Sequence, residues 1–144
     1  MRTVVIGIGN ALRGDDAAGV EVASRLQGVA CEEEPSRLIE AWEGWDAAIL
    51  VDTVVSGAPP GTLHRFDASD APIPAHGLRS STHAIGLAET IELARALGRL
   101  PKRLVVYGVE GASFEAGAPL SPAVEEAVGR LVAVIEEELC TSAP

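Results

Sequence analysis

Three stretches of this chain are apolar almost from end to end: residues 3–8 (TVVIGI), 47–55 (AAILVDTVV) and 103–109 (RLVVYGV). A strand with one face in water alternates polar and apolar side chains, so continuous β-branched runs of this length suit strands covered on both faces, as in parallel sheets. Helical patterns lie between them. Val20, Ala23, Ser24 and Gln27 follow helical spacing after Asp15 and Asp16, either of which is a natural N-cap. Ser80, Ser81 and Thr82 offer caps for a helix carrying Ile85, Leu87, Ala88, Ile91, Leu93 and Leu97, ended by Gly98. Ser121 and Pro122 open a last helix on Val124, Val128, Leu131, Val132, Ile135 and Leu139. Residues 56–61 form a turn before a shorter alternating strand at 62–66, and 67–79 and 110–119 are loops. Residues 29–45 resist assignment, since Glu32-Glu33-Glu34-Pro35 breaks them; Ser36 is placed to cap a short helix through Trp42. The fold class that follows is α/β, a three-layer sandwich with a mostly parallel sheet covered by helices on both faces.

A chain of 144 residues, 47% of them hydrophobic, is expected to form one domain around one core. Its net charge of −10 argues against nucleic acid, whose binding depends on Lys and Arg meeting phosphates; a neutral or basic protein partner is easier to accommodate. Cys31 and Cys140 lie too far apart for a CxxC motif, which makes a reducing cytoplasm the expected compartment. The start has too short an apolar run for a signal peptide, and no stretch reaches the length of a membrane span. The expectation is a soluble monomer without membrane association.

In open α/β sheets, ligands bind at the C-terminal ends of the parallel strands. Asp15 and Asp16 follow the first strand, Asp52 stands near the end of a central one, and His83 opens a helix on what would be the same rim. Two carboxylates and an imidazole suit a divalent metal with coordination positions left for water or substrate. For Asp15 and Asp16 simple capping is an equal alternative, and for His83 a bond to backbone. Asp52 is harder to explain structurally, because an acid inside a buried run must be desolvated. His64, in the alternating strand, and His76, in a proline-rich loop, read as surface residues. The Gly7-Ile8-Gly9 tract fails as a dinucleotide motif: the third glycine would fall at Leu12, and two acids at the helix start would repel a pyrophosphate. No GxSxG elbow is present.

The segments VVIGIGNALRGDDAAGVEVA, VDTVVSGAPPGT, STHAIGLAETIELARALGRLPKRLVVYGVE and LSPAVEEAVGRLVAVIEEEL together resemble the endopeptidases that mature the large subunit of nickel-iron hydrogenases. The resemblance spans nearly the whole chain except residues 29–45. It implies a phosphorylase/hydrolase-like α/β fold and Asp16, Asp52 and His83 as metal ligands. It also implies nickel, already inserted in the precursor, as the recognised metal, with zinc or cadmium able to substitute in crystals. The implied reaction removes a short C-terminal extension from the large-subunit precursor. Asp15 then becomes a candidate base or a support for the ligand loop. The chain departs from the family pattern at residues 31–36, where relatives carry a Gly-rich tract, and at Ala17, where many have glycine. Two rivals use the same ligands: a non-catalytic nickel-sensing or carrier module, and a general metallopeptidase.

Overall fold

The computed structural model describes residues 1–31, 34–74 and 86–141. Its strands are β1 (Thr3–Ile8), β2 (Val29–Cys31), β3 (Ala47–Val54), β4 (Leu63–Asp67) and β5 (Arg103–Glu110), and its helices are α1 (Ala18–Arg25), α2 (Pro35–Trp42), α3 (Leu87–Ala96) and α4 (Pro122–Thr141). The sheet order is β2-β1-β3-β5-β4. All neighbours are parallel except β4, which runs antiparallel along β5 at one edge.

The three apolar runs become β1, β3 and β5, the inner strands, and alternation sends their side chains into two separate cores. Val4, Ile6, Ile8, Leu50, Leu104 and Val106 pack under α2 and α3 with Leu38, Trp42 and Ile91. Val5, Ile49, Val51, Val105 and Val109 pack on the other face under α1 and α4, with Val22, Val128, Leu131 and Ile135. The result is the expected three-layer α/β arrangement.

Helix α1 lies unusually close to the sheet. A Cβ on Gly19 would stand 2.3 Å from the carbonyl oxygen of Val51 and 2.8 Å from that of Ile8, and one on Gly7 would stand 2.1 Å from the carbonyl oxygen of Gly19. Only bare glycines permit this contact, which seats the start of α1 directly on the C-terminal ends of β1 and β3.

Several local expectations are corrected. Neither Asp15 nor Asp16 caps a helix; a 3-10 turn over Gly14–Ala17 leads into α1, and neither element has a side-chain cap. Glu34, not Ser36, occupies the N-cap position of α2, and the Ser36 hydroxyl donates to the Glu34 carboxylate at 3.0 Å. The chain also contains β2, an edge strand of three residues. For α3, Gly86 is the N-cap position; the expected caps at Ser80, Ser81 and Thr82, together with Ile85, lie outside the described residues.

Candidate functional site

The chain leaves β1 toward β2 on one side while β3 lies on the other, so the C-terminal ends of β1 and β3 form the point where strand order reverses, the usual ligand crevice of such sheets. Asp16 arrives there in the 3-10 turn after β1 and is 2% exposed; Asp52 arrives at the tip of β3 and is 1% exposed. The loop is folded tightly at Gly9, whose φ of +143° is costly for other residues and whose absent Cβ would meet the Asp16 carbonyl oxygen at 2.1 Å. The same turn lets the Asn10 amide donate to Asp16 Oδ2 at 3.0 Å.

Asp52 Oδ1 accepts the amide of Thr53 at 2.8 Å. Burial pushes its carboxyl up to about 8; the Thr53 hydrogen bond opposes this and the neighbouring Asp16 charge adds to it. Ionising Asp52 beside Asp16 at this buried strand edge is therefore costly by itself, and a cation would relieve that cost. Among the described residues no three His, Cys, Asp or Glu side chains gather into a metal cluster. His83 and His76 lie outside the described residues.

Asp15 is fully buried, and its carboxylate is engaged by the β5–α4 connection. Its Oδ2 accepts the amides of Ala112 (2.7 Å) and Ser113 (3.0 Å) and the hydroxyl of Ser121 (2.9 Å), while Oδ1 accepts the Ser121 amide at 2.7 Å. Burial alone would raise its pKa, but the hydrogen bonds from Ser121, Ser113 and Ala112 prevail and hold it below the ordinary carboxylate value. The backbone amide of Asp15 donates to Ser113 and its carbonyl accepts the Thr53 hydroxyl at 2.7 Å. One residue thus ties the loop carrying Asp16 to β3 and to the β5–α4 connection.

Sequence reasoning missed a second group on this rim. Glu110, at the end of β5, is 1% exposed and accepts hydrogen bonds from the Ser56 amide on both oxygens and from the Ser56 hydroxyl; its Oε1 lies 3.1 Å from Nε2 of His64. His64 is thus no plain surface residue: its side chain is 23% exposed and engaged with a buried acid. The signal that singled out Asp52, an acid closing a buried run, applies equally to Glu110. On the far side of the Asp16 loop, Asn10, Leu12, Val20, Ala30 and Cys31 line an open cleft of about 290 Å³.

Comparison with known proteins places these features in context. The family described as hydrogenase maturation protease matches over residues 33–138. The hydrogenase 2 maturation protease of Escherichia coli (strain K12) is 32% identical over 141 residues, 87% of this chain and 82% of that protein. The hydrogenase expression/formation protein HupD of Thiocapsa roseopersicina is 29% identical over 136 residues, 87% of this chain, which spans only 62% of that relative's length. A crystal structure of a [NiFe] hydrogenase maturation protease, HycI from Thermococcus kodakarensis KOD1, superimposes with a TM-score of 0.73 at 28% identity, covering 94% of this chain and 90% of that one.

Proposed function

From the premise that this chain belongs to the hydrogenase maturation protease family, a family of peptidases, we propose that it is the endopeptidase that removes the C-terminal extension of a nickel-iron hydrogenase large-subunit precursor after nickel insertion. The observation that carries this reading is the pairing of two buried carboxylates, Asp16 and Asp52, at the strand-order reversal, where the Asp16 charge adds to the cost of ionising Asp52.

The donor set fits a divalent cation, because ligation by both carboxylates would relieve that cost, and His83 completes the set by the family resemblance. Nickel carried in by the precursor is the preferred ion. When bound, the ion supplies Lewis acidity toward the scissile carbonyl or an attacking water. The protein's own contribution is to hold Asp16 and Asp52 without slack: the Asn10 amide orients the first, the Thr53 amide the second. Of the two roles open to Asp15, base and support, its four accepted hydrogen bonds favour support. A net charge of −10 suits a neutral or basic precursor surface. No helix among the described residues is long and apolar enough to cross a membrane, and the reading includes a cytoplasmic monomer.

The test is intact-mass spectrometry of a nickel-loaded large-subunit precursor incubated with the wild type and with Asp16→Asn. Loss of a C-terminal peptide with wild type alone is expected. An unchanged precursor mass with metal-dependent binding would replace the protease by a carrier, and trimming by Asp16→Asn at the wild-type rate would remove Asp16 from the ligand set.

A further inference from the structure

Glu110 is a buried carboxylate that the reading above leaves unused. Its burial costs free energy unless the charge is well hydrogen-bonded. Ser56 supplies part of that, through its amide at 3.1 and 3.0 Å to the two oxygens and through its hydroxyl. The remaining partner is His64, with Nε2 at 3.1 Å. A carboxylate bound at Nε2 holds that nitrogen as the N–H donor and leaves Nδ1 for other work, the same logic by which an acid orients a catalytic imidazole. The acid is inaccessible while the imidazole remains 23% exposed, so a substrate can reach the ring and not the group that orients it.

The sheet register fixes where this pair stands. His64 is opposite Gly108 on the antiparallel side, and Gly108 is opposite Asp52 on the parallel side. Residues in one cross-strand row share a face, and two strand spacings put the Cα atoms of Asp52 and His64 about 10 Å apart. The residue between them has no side chain, and Val54 lies over it, 3.1 Å from where a Gly108 Cβ would stand. Asp52 and His64 therefore share one face of the rim, on either side of Gly108 and the buried Val54 side chain packed over it.

We propose that His64, oriented by Glu110, is the general acid that protonates the leaving amine when the extension is cut; this inference rests on the protease reading above. Water oxygen bonds to the scissile carbonyl carbon, and the C–N bond breaks with its electron pair going to nitrogen. That nitrogen takes the proton from Nδ1–H of the His64 imidazolium. The proton that the new carboxylic acid gives up restores the imidazolium, so no further reactant is needed. His64 is a catalytic residue in this scheme, and Glu110 and Ser56 are positioning residues.

His64→Gln is the test variant, because its amide can still donate to Glu110 but carries no transferable proton. With the nickel-loaded precursor its trimming rate is expected to fall about 100-fold, the usual scale of general acid catalysis, with KM unchanged. A second precursor carries an ester in place of the scissile amide. An alkoxide leaves with less need of a proton, so the loss is expected to shrink several-fold there, and Glu110→Gln should show the same amide-over-ester bias. Equal losses on both precursors, or trimming by His64→Gln at the wild-type rate, would overturn the assignment while leaving the protease reading standing. Failure of the wild type to trim either precursor would overturn both.

Discussion

Asp15 and Ser121 are 106 residues apart in the chain and joined twice, Oδ1 to the serine amide at 2.7 Å and Oδ2 to its hydroxyl at 2.9 Å. With the amides of Ala112 and Ser113 added, replacing this buried carboxylate takes the charged acceptor from several part-buried donors at once. Asp15→Asn is expected to lower stability by about 3 kcal/mol in urea unfolding, since four bonds to one fully buried charged acceptor are lost or weakened together and bonds to a charged acceptor are the stronger kind. The pH dependence follows from the depressed pKa. The folded state holds the proton less readily than the unfolded chain, whose ordinary value is 3.8. The contribution is therefore complete above that value and is lost as pH falls through the lower folded one. The gap between wild type and variant should close in acid.

Asp52 has the opposite sign. Its carboxyl titrates near 8 in the folded protein against an ordinary 3.8, chiefly through burial, with the Asp16 charge adding. The folded state binds the extra proton, so stability falls as pH rises from about 4 toward 8. In metal-free protein at pH 7, Asp52→Asn should therefore be the more stable form by ~1 kcal/mol or more, with a melting temperature that hardly varies between pH 6 and 8. The same variant should not trim the precursor. Loss of stability at pH 7 in Asp52→Asn would contradict the electrostatic account.

These two aspartates also mark the limit of what the residues disclose unaided. Strands β1, β3 and β5 are legible because a strand covered on both faces must be apolar throughout, and Asp52 stands out against that background. Edge strand β2 is not legible: it has only three residues and leaves Val29 and Ala30 exposed, too short for any periodicity to register. The role of Asp15 is hidden for a different reason. An acid before a helix reads as a cap, and nothing local reveals that its donors arrive from residues 112–121. His64 and Glu110 meet only through the antiparallel pairing of β4 with β5, which the alternating pattern of residues 62–66 does not specify.

The glycine contacts beneath α1 lead to a mechanical prediction. A methyl on Gly19 would come within 2.3 Å of the Val51 carbonyl and 2.8 Å of the Ile8 carbonyl, both backbone atoms that cannot swing aside. Gly19→Ala must lift the helix from the strand ends. Although alanine is the better helix former, the variant is expected to lose about 1–3 kcal/mol, the usual range for overpacking. Because the 3-10 turn carrying Asp16 is continuous with α1, trimming should fall further than the lost folded fraction accounts for. Gly129→Ala in α4, where an added Cβ meets nothing within 4 Å, is the control and should be neutral or slightly stabilising.

Metal binding gives the last prediction, and it turns on which state of Asp52 is present. An ion that binds the folded chain alone raises stability by an amount set by its concentration over Kd, about 2.7 kcal/mol at a hundredfold excess. Ligation requires the ionised carboxylate, which the metal-free protein holds only in part at neutral pH because of burial and the Asp16 charge. Nickel at fixed concentration should therefore raise the melting temperature more at pH 8 than at pH 6. Excess chelator should reverse the shift, and calorimetry should register proton release on binding. Asp16→Asn and Asp52→Asn should each abolish the shift, whereas His64→Gln should retain it, since His64 is assigned to proton transfer and not to the ion. A nickel shift that persists in Asp52→Asn would place the metal elsewhere in the molecule.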